Sequence, residues 1–167
     1  MKALFIGRFQ PFHKGHLNAI KYLSDKYDEV IIGIGSSQYS NTSDNPFSSD
    51  ERILMIKESL KQENVSNYKI ILIPDIHNPP KWVDHVLSIN SDFNVVISNN
   101  EFTQKLFLEK GFKIMQTPLF NKKEYSGRII RKKILYNNEW ESLVPKSCID
   151  IIKNCLKRIK KLNLKNE

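Results

Sequence analysis

The sequence has no apolar run close to the roughly 20 residues that a membrane-spanning helix requires, so a membrane span is excluded. Its first residues lead from a short apolar strand into a polar loop, which is not the build of a secretory signal peptide. Cysteine is scarce. Cys148 and Cys155 are the only two, and seven positions on a predicted helix set them about 10 Å apart along its axis. That separation rules out a disulfide in place and predicts two reduced, partly buried thiols in a cytoplasmic protein. There is no internal repeat, low-complexity tract or long linker, and no cluster of carboxylates fit to cage a metal ion. Acid is also in deficit, with Asp and Glu at 18 against 26 Lys and Arg, a net charge of +8. Such a balance suits an anionic partner, whether nucleotide, nucleic acid or acidic membrane, and does not choose among them.

What is present reads as an ordinary globular chain: 167 residues, 40% hydrophobic and 26% charged, expected to form one domain with a real core. The apolar runs at Lys2 to Ile6, Asp28 to Gly35, Tyr68 to Pro74, Phe93 to Ser98 and Phe112 to Gln116 predict five strands. Between them, helical spacing predicts helices from Leu17 to Lys26, from a Ser48/Glu51 capping box to Glu63, from Trp82 to Ile89, and from Glu101 to Lys110. Two more follow, Arg128 to Tyr136 and a last one after Pro145 with Ile149, Ile152, Leu156 and Ile159 at helical spacing. Strands alternating with helices predict an α/β fold, a Rossmann-like doubly wound parallel sheet of about five strands with a helical C-terminal tail. The expected division is a core over 1–136 and a helical segment over 137–167 of a single domain.

Chemistry concentrates in the first turn, Gly7-Arg8-Phe9-Gln10-Pro11-Phe12-His13-Lys14-Gly15-His16. It links the first strand to the first helix, where open α/β sheets place ligands. Two glycines, an Arg and two His residues three apart suit a polyphosphate, because backbone can come close and helix-start N–H groups are unpaired. Buried or capping histidines are the alternative, and a metal pair is a third, although no third ligand is evident. A second basic turn, Tyr125-Ser126-Gly127 before Arg128, Arg131, Lys132 and Lys133, fits either another phosphate clamp or a solvated basic helix. Trp82 fits either partly buried packing or a platform for a ligand ring.

The turn GRFQPFHKGH resembles the GxxxPxHxGH signature of the nucleotidylyltransferase superfamily, and with these Arg, Phe and Gln residues it is similar to the archaeal-type nicotinamide-nucleotide adenylyltransferases. The resemblance continues in order through Gly33 to Gln38, Asn45-Pro46-Phe47, Glu51 to Ile56, Asp75-Ile76 with Trp82-Val83, Glu124-Tyr125-Ser126-Gly127 with Arg131, and Leu143-Val144-Pro145. It covers roughly residues 1 to 152.

That resemblance implies transfer of AMP from ATP to nicotinamide mononucleotide (NMN), giving NAD and pyrophosphate by in-line attack at the α-phosphorus. It implies catalytic roles for His13, His16, Arg8 and Arg131. The implied ATP residues are Gly7, Arg8, Phe9, His13, Gly15, His16, Asn99, Ser126, Gly127 and Arg131. For NMN they are Phe9, Gln10, Ser36, Asp75 and Trp82. Magnesium would arrive on the ATP phosphates with no protein ligand of its own, and the chain would form a homo-oligomer, a hexamer in archaeal-type relatives. No nucleic acid or membrane partner is implied. The chain departs from the pattern at Arg128-Ile129, where relatives often have Thr-Glu, and at His77 to Pro80, where they often have an Asn nearer Trp82. Asp44 stands where some carry a phosphate-binding Arg. Alternatives are another acceptor (FMN, phosphopantetheine or nicotinic acid mononucleotide) or a nucleic-acid module. The latter would use the basic tail of Lys153, Lys157, Arg158, Lys160, Lys161 and Lys165, which has no aromatic interleaving or base-reading motif to support it.

Overall fold

In the computed structural model, residues 1–164 are described, with side chains through 161; Lys165 of the basic tail lies outside the described residues. The strands are β1 (Lys2–Gly7), β2 (Glu29–Gly35), β3 (Tyr68–Ile73), β4 (Val95–Ile97) and β5 (Lys113–Met115). The helices are α1 (Lys14–Ser24), α2 (Ser49–Gln62), α3 (Pro79–Ile89), α4 (Glu101–Glu109), α5 (Gly127–Leu135) and α6 (Lys146–Leu164). All neighbouring strands pair in parallel, in the order β3-β2-β1-β4-β5. This is the expected Rossmann-like α/β sheet, with its chain order reversing at β1.

Two compact units divide the chain, each drawn from three separate segments. The sheet unit comprises Met1–Arg8, Ala19–Ser37 and Asn67–Pro118. Its strands are apolar on both faces, as a parallel sheet requires. Leu4, Ile31, Ile71, Ile73 and Val96 pack with Val83 and Val86 of α3 and with Phe93 and Phe107. The alternate residues Ala3, Val30, Ile32, Ile34, Val95 and Ile97 are buried as well.

The helical unit comprises Phe9–Asn18, Gln38–Ser66 and Leu119–Glu167. Both halves of the predicted capping box form: Ser48 Oγ accepts from the Glu51 N–H and Glu51 accepts from the Ser48 N–H. The Glu51 carboxylate also receives Arg158 Nη2 at 2.6 and 2.7 Å and the Cys155 thiol at 2.7 Å, tying α6 to the start of α2. Both cysteines are free and buried, as expected. Burial pushes the thiols up, Cys148 to about 11 and Cys155, further raised by Glu51, to about 12.

Three local expectations differ from the structure. Helix α1 begins at Lys14 rather than Leu17, which puts His16 inside its first turn. Helix α3 begins at Pro79 rather than Trp82, because two prolines occupy its first positions, where a missing N–H costs nothing. The fully buried stripe of α6 is Cys148, Ile152, Cys155 and Ile159, while Ile149 and Leu156 are only half-buried.

Candidate active site

Non-glycine residues take the left-handed backbone conformation just beyond β1, β2 and β3: Phe9 at φ 55°, Ser36 at 46° and His77 at 50°. For a phenylalanine this conformation is a genuine outlier, and such strain marks turns held for function.

In the sheet unit a cavity of about 290 Å³ opens at these strand ends. Ile6, Gly7 and Arg8 come to it from the end of β1, Gly35 and Ser36 from β2, and Ile73, Asp75, His77 and Asn78 from β3 and its loop. Pro79 and Trp82 of α3 and Phe102, Thr103 and Leu106 of α4 complete the wall. Five of the expected residues, Gly7, Arg8, Ser36, Asp75 and Trp82, are therefore brought together. Trp82 does two things: its ring lies edge-on to Phe107 with centroids 5.7 Å apart, and it lines the cavity. Asp75 is fixed by its own loop, Oδ1 accepting the His77 N–H at 3.1 Å with His77 Nδ1 4.0 Å away. Asn99 is not in this cavity; its Nδ2 donates to Thr117 Oγ1 at 3.0 Å in the loop after β4. Phe102 and Thr103 escaped the sequence reading, and the one signal for Phe102 is a large aromatic in the exposed first turn of a helix.

In the helical unit the histidine turn is an aromatic cluster. The His13 and His16 rings stack with centroids 3.6 Å apart. Phe12 stacks on His16 at 5.6 Å and Phe9 meets it edge-on at 4.7 Å. The His13 N–H donates to Nδ1 of His16 and the His16 N–H to Nδ1 of His13, both at 3.3 Å. With each Nδ1 used as an acceptor, the proton of each neutral imidazole sits on Nε2. Burial holds His13 down at about 4, and burial with the neighbouring His13 holds His16 well below the ordinary histidine value. At neutral pH the turn thus presents two uncharged Nε2–H donors. Gly15 makes room for them: a Cβ there would lie 2.9 Å from Tyr125 Cβ and 3.0 Å from the His13 ring.

The second basic turn reaches the same cluster. Arg131 Nη1 donates to the Gln10 carbonyl at 2.8 Å. Ser126 stands at the N-cap of α5 without a side-chain cap bond, and the first turn of that helix carries no acid. Arg128 and Lys132 are exposed, while Arg131 and Lys133 are half-buried. Phe9 and Gln10, expected among the NMN residues, have side chains engaged within the helical unit. Phe9 is buried against His16, and Gln10 spends both amide functions on Phe47, Nε2 to its carbonyl at 2.8 Å and Oε1 from its N–H at 2.9 Å. Among the described residues no three His, Cys, Asp or Glu side chains gather as a metal site, and no helix is long and apolar enough to cross a membrane.

A parallel Rossmann-like sheet with a histidine turn after its first strand and a Ser-Gly helix start late in the chain defines a nucleotidylyltransferase. The cytidylyltransferase-like family model matches residues 4–133. The nicotinamide-nucleotide adenylyltransferase of Methanococcus aeolicus is 46% identical over 99% of this chain and 97% of its own length. That of Archaeoglobus fulgidus is 44% identical over 98% of each. A crystal structure of the bifunctional NMN adenylyltransferase/ADP ribose pyrophosphatase of Francisella tularensis, complexed with AMP and a manganese ion, shares the fold at a TM-score of 0.80 and 24% identity; it covers 97% of this chain, which spans 52% of that longer protein. The chain belongs to the nicotinamide-nucleotide adenylyltransferases of the cytidylyltransferase-like family.

Proposed function

We propose that this protein transfers AMP from ATP to nicotinamide mononucleotide, releasing NAD and pyrophosphate. The observation that carries the reading is the imidazole pair, two neutral rings locked by each other's backbone with both Nε2–H groups left as donors. A phosphate oxygen of NMN attacks the α-phosphorus in line, and the bond from that phosphorus to the bridging oxygen breaks. The nucleophile is already an anion, so the protein must position and neutralise rather than remove a proton. His13 and His16 donate to the phosphate oxygens on which charge develops. Arg8 and Arg131, with Ser126 and the Gly127 N–H at the start of α5, hold the β- and γ-phosphates and the departing pyrophosphate.

The cavity in the sheet unit takes NMN. Trp82 supplies an aromatic face to the nicotinamide, and a cationic pyridinium over an indole gains cation–π attraction. Asp75 and Ser36 offer polar partners, and Asn99, with Gly15, is assigned to the adenine side. Magnesium enters as part of the nucleotide substrate, held by phosphate oxygens and water; the Francisella protein was crystallised with AMP and manganese.

Residues 1–167 are read as one nucleotidylyltransferase domain with a core over 1–136 and a helical segment over 137–167; the interleaving of the two units along the chain favours the single domain and does not bear on that boundary. The buried free thiols suit the cytoplasm. We assign no nucleic acid or membrane partner, and assembly as a homohexamer by resemblance to archaeal-type relatives. A coupled assay for dinucleotide product tests the reaction, with ATP, magnesium and each of NMN, nicotinic acid mononucleotide, FMN and phosphopantetheine. Product from NMN supports the reading. Product only from FMN or phosphopantetheine would keep the ATP roles and overturn those of Trp82 and Asp75.

A further inference from the structure

We infer that Gln10 is a positioning residue for Arg131, setting the guanidinium that receives pyrophosphate, and is not a ligand of NMN. This deepens the proposed function and rests on its assignment of Arg131. Gln10 is 2% exposed and makes three hydrogen bonds of ordinary length in two directions. Its side-chain amide exchanges a donor and an acceptor with the Phe47 backbone, at 2.8 and 2.9 Å. Its main-chain carbonyl accepts Arg131 Nη1 at 2.8 Å. The amide therefore fixes the plane of the residue, and the carbonyl of that fixed residue aims the arginine.

The other side of the joint is equally tight. A Cβ on Gly127 would lie 3.0 Å from Arg131 Nη1 and 3.2 Å from the Gln10 carbonyl oxygen, so a side chain there would press on this pair and shift it by a few tenths of an ångström. The Gln10 carbonyl is neutral, so holding Nη1 there leaves the guanidinium its charge for an anion. A guanidinium tethered at one corner loses less freedom when an anion arrives, which is how preorganisation raises affinity.

The test uses Gln10→Glu, which keeps the acceptor for the Phe47 N–H and removes the donor to its carbonyl. Two readouts are taken: steady-state constants for ATP and NMN, and direct calorimetric binding of inorganic pyrophosphate. The expected result is an about tenfold weaker pyrophosphate Kd and a matching loss in kcat/KM for ATP, with the KM for NMN within twofold. In an Arg131→Ala background the same Gln10 substitution should change pyrophosphate binding no further. Gly127→Ala approaches the joint without touching the amide and should reproduce the pyrophosphate defect, even if Gln10→Glu fails to fold. A raised KM for NMN with pyrophosphate binding intact would overturn the inference, as would full additivity with Arg131→Ala. Should the unmodified protein make no NAD, the proposed function falls, while the pyrophosphate cycle still decides what Gln10 does.

Discussion

His13 and His16 hold each other. Each gives its backbone N–H to the other's Nδ1 at 3.3 Å, and their rings stack at 3.6 Å. The pair is short-range in sequence, so the turn carries its own means of fixing the tautomer of both rings. A polyphosphate meeting this turn finds two Nε2–H donors already oriented, with no reorganisation left to make at the moment of reaction.

Burial of the pair makes stability depend on pH. Folded His13 binds its proton only near 4, against 6.5 for an ordinary histidine. As pH falls through that window the unfolded chain takes up a proton that the folded protein refuses, so stability is lost on acidification and is fully present above 6.5. The gap corresponds to about 3 kcal/mol for this group alone. Urea unfolding of the native protein and of His13→Gln, at pH 7 and near pH 4, should show the native protein losing about that much more. Parallel pH profiles would mean that His13 titrates normally.

Trp82 both packs on Phe107 and faces the cavity, so Trp82→Ala should lower the melting temperature and raise the KM for NMN together. Loss of ring stacking of about 1–2 kcal/mol corresponds to a rise of roughly five- to thirtyfold. A lower melting temperature with an unchanged KM would confine Trp82 to the core.

Gly15→Ala introduces a methyl 2.9 Å from Tyr125 Cβ and 3.0 Å from the His13 ring. The backbone-borne Tyr125 Cβ cannot swing away, so His13 must be displaced, at about 1–3 kcal/mol of overpacking. The expected outcome is a folded protein with at least tenfold lower kcat. Native turnover from this variant would show that the His13 position is not critical.

Much of this molecule was legible before its coordinates. Near-continuous apolar runs such as Val30 to Ile34 mark strands buried on both faces, and Ser48 with Glu51 marks a helix start, because both signals are local. His13, His16, Gly15 and Arg131 stand out in the sequence for the same reason, as residue types at short spacing, and their roles are proposals. Gln10 was not. Its amide partner Phe47 is 37 positions away and its other partner Arg131 is 121 away, so nothing nearby shows that the side chain is already occupied. Phe102 and Thr103 were missed on similar grounds, since α4 meets the cavity only after the sheet has formed. The buried stripe of α6 holds the expected Ile152 and Ile159, but Cys148 and Cys155 take the places given to Ile149 and Leu156, because cysteine counts weakly as apolar in a pattern yet packs here as a small apolar group.

The most direct measurement is NAD formation from magnesium-ATP and NMN by the unmodified protein and by His16→Ala, side by side, with folding of both checked by circular dichroism. The expected result is NAD from the unmodified protein and a loss of at least a hundredfold in the variant, the order of magnitude for removing one preorganised donor to a developing charge. Equal rates would contradict the assignment of catalysis to the histidine turn.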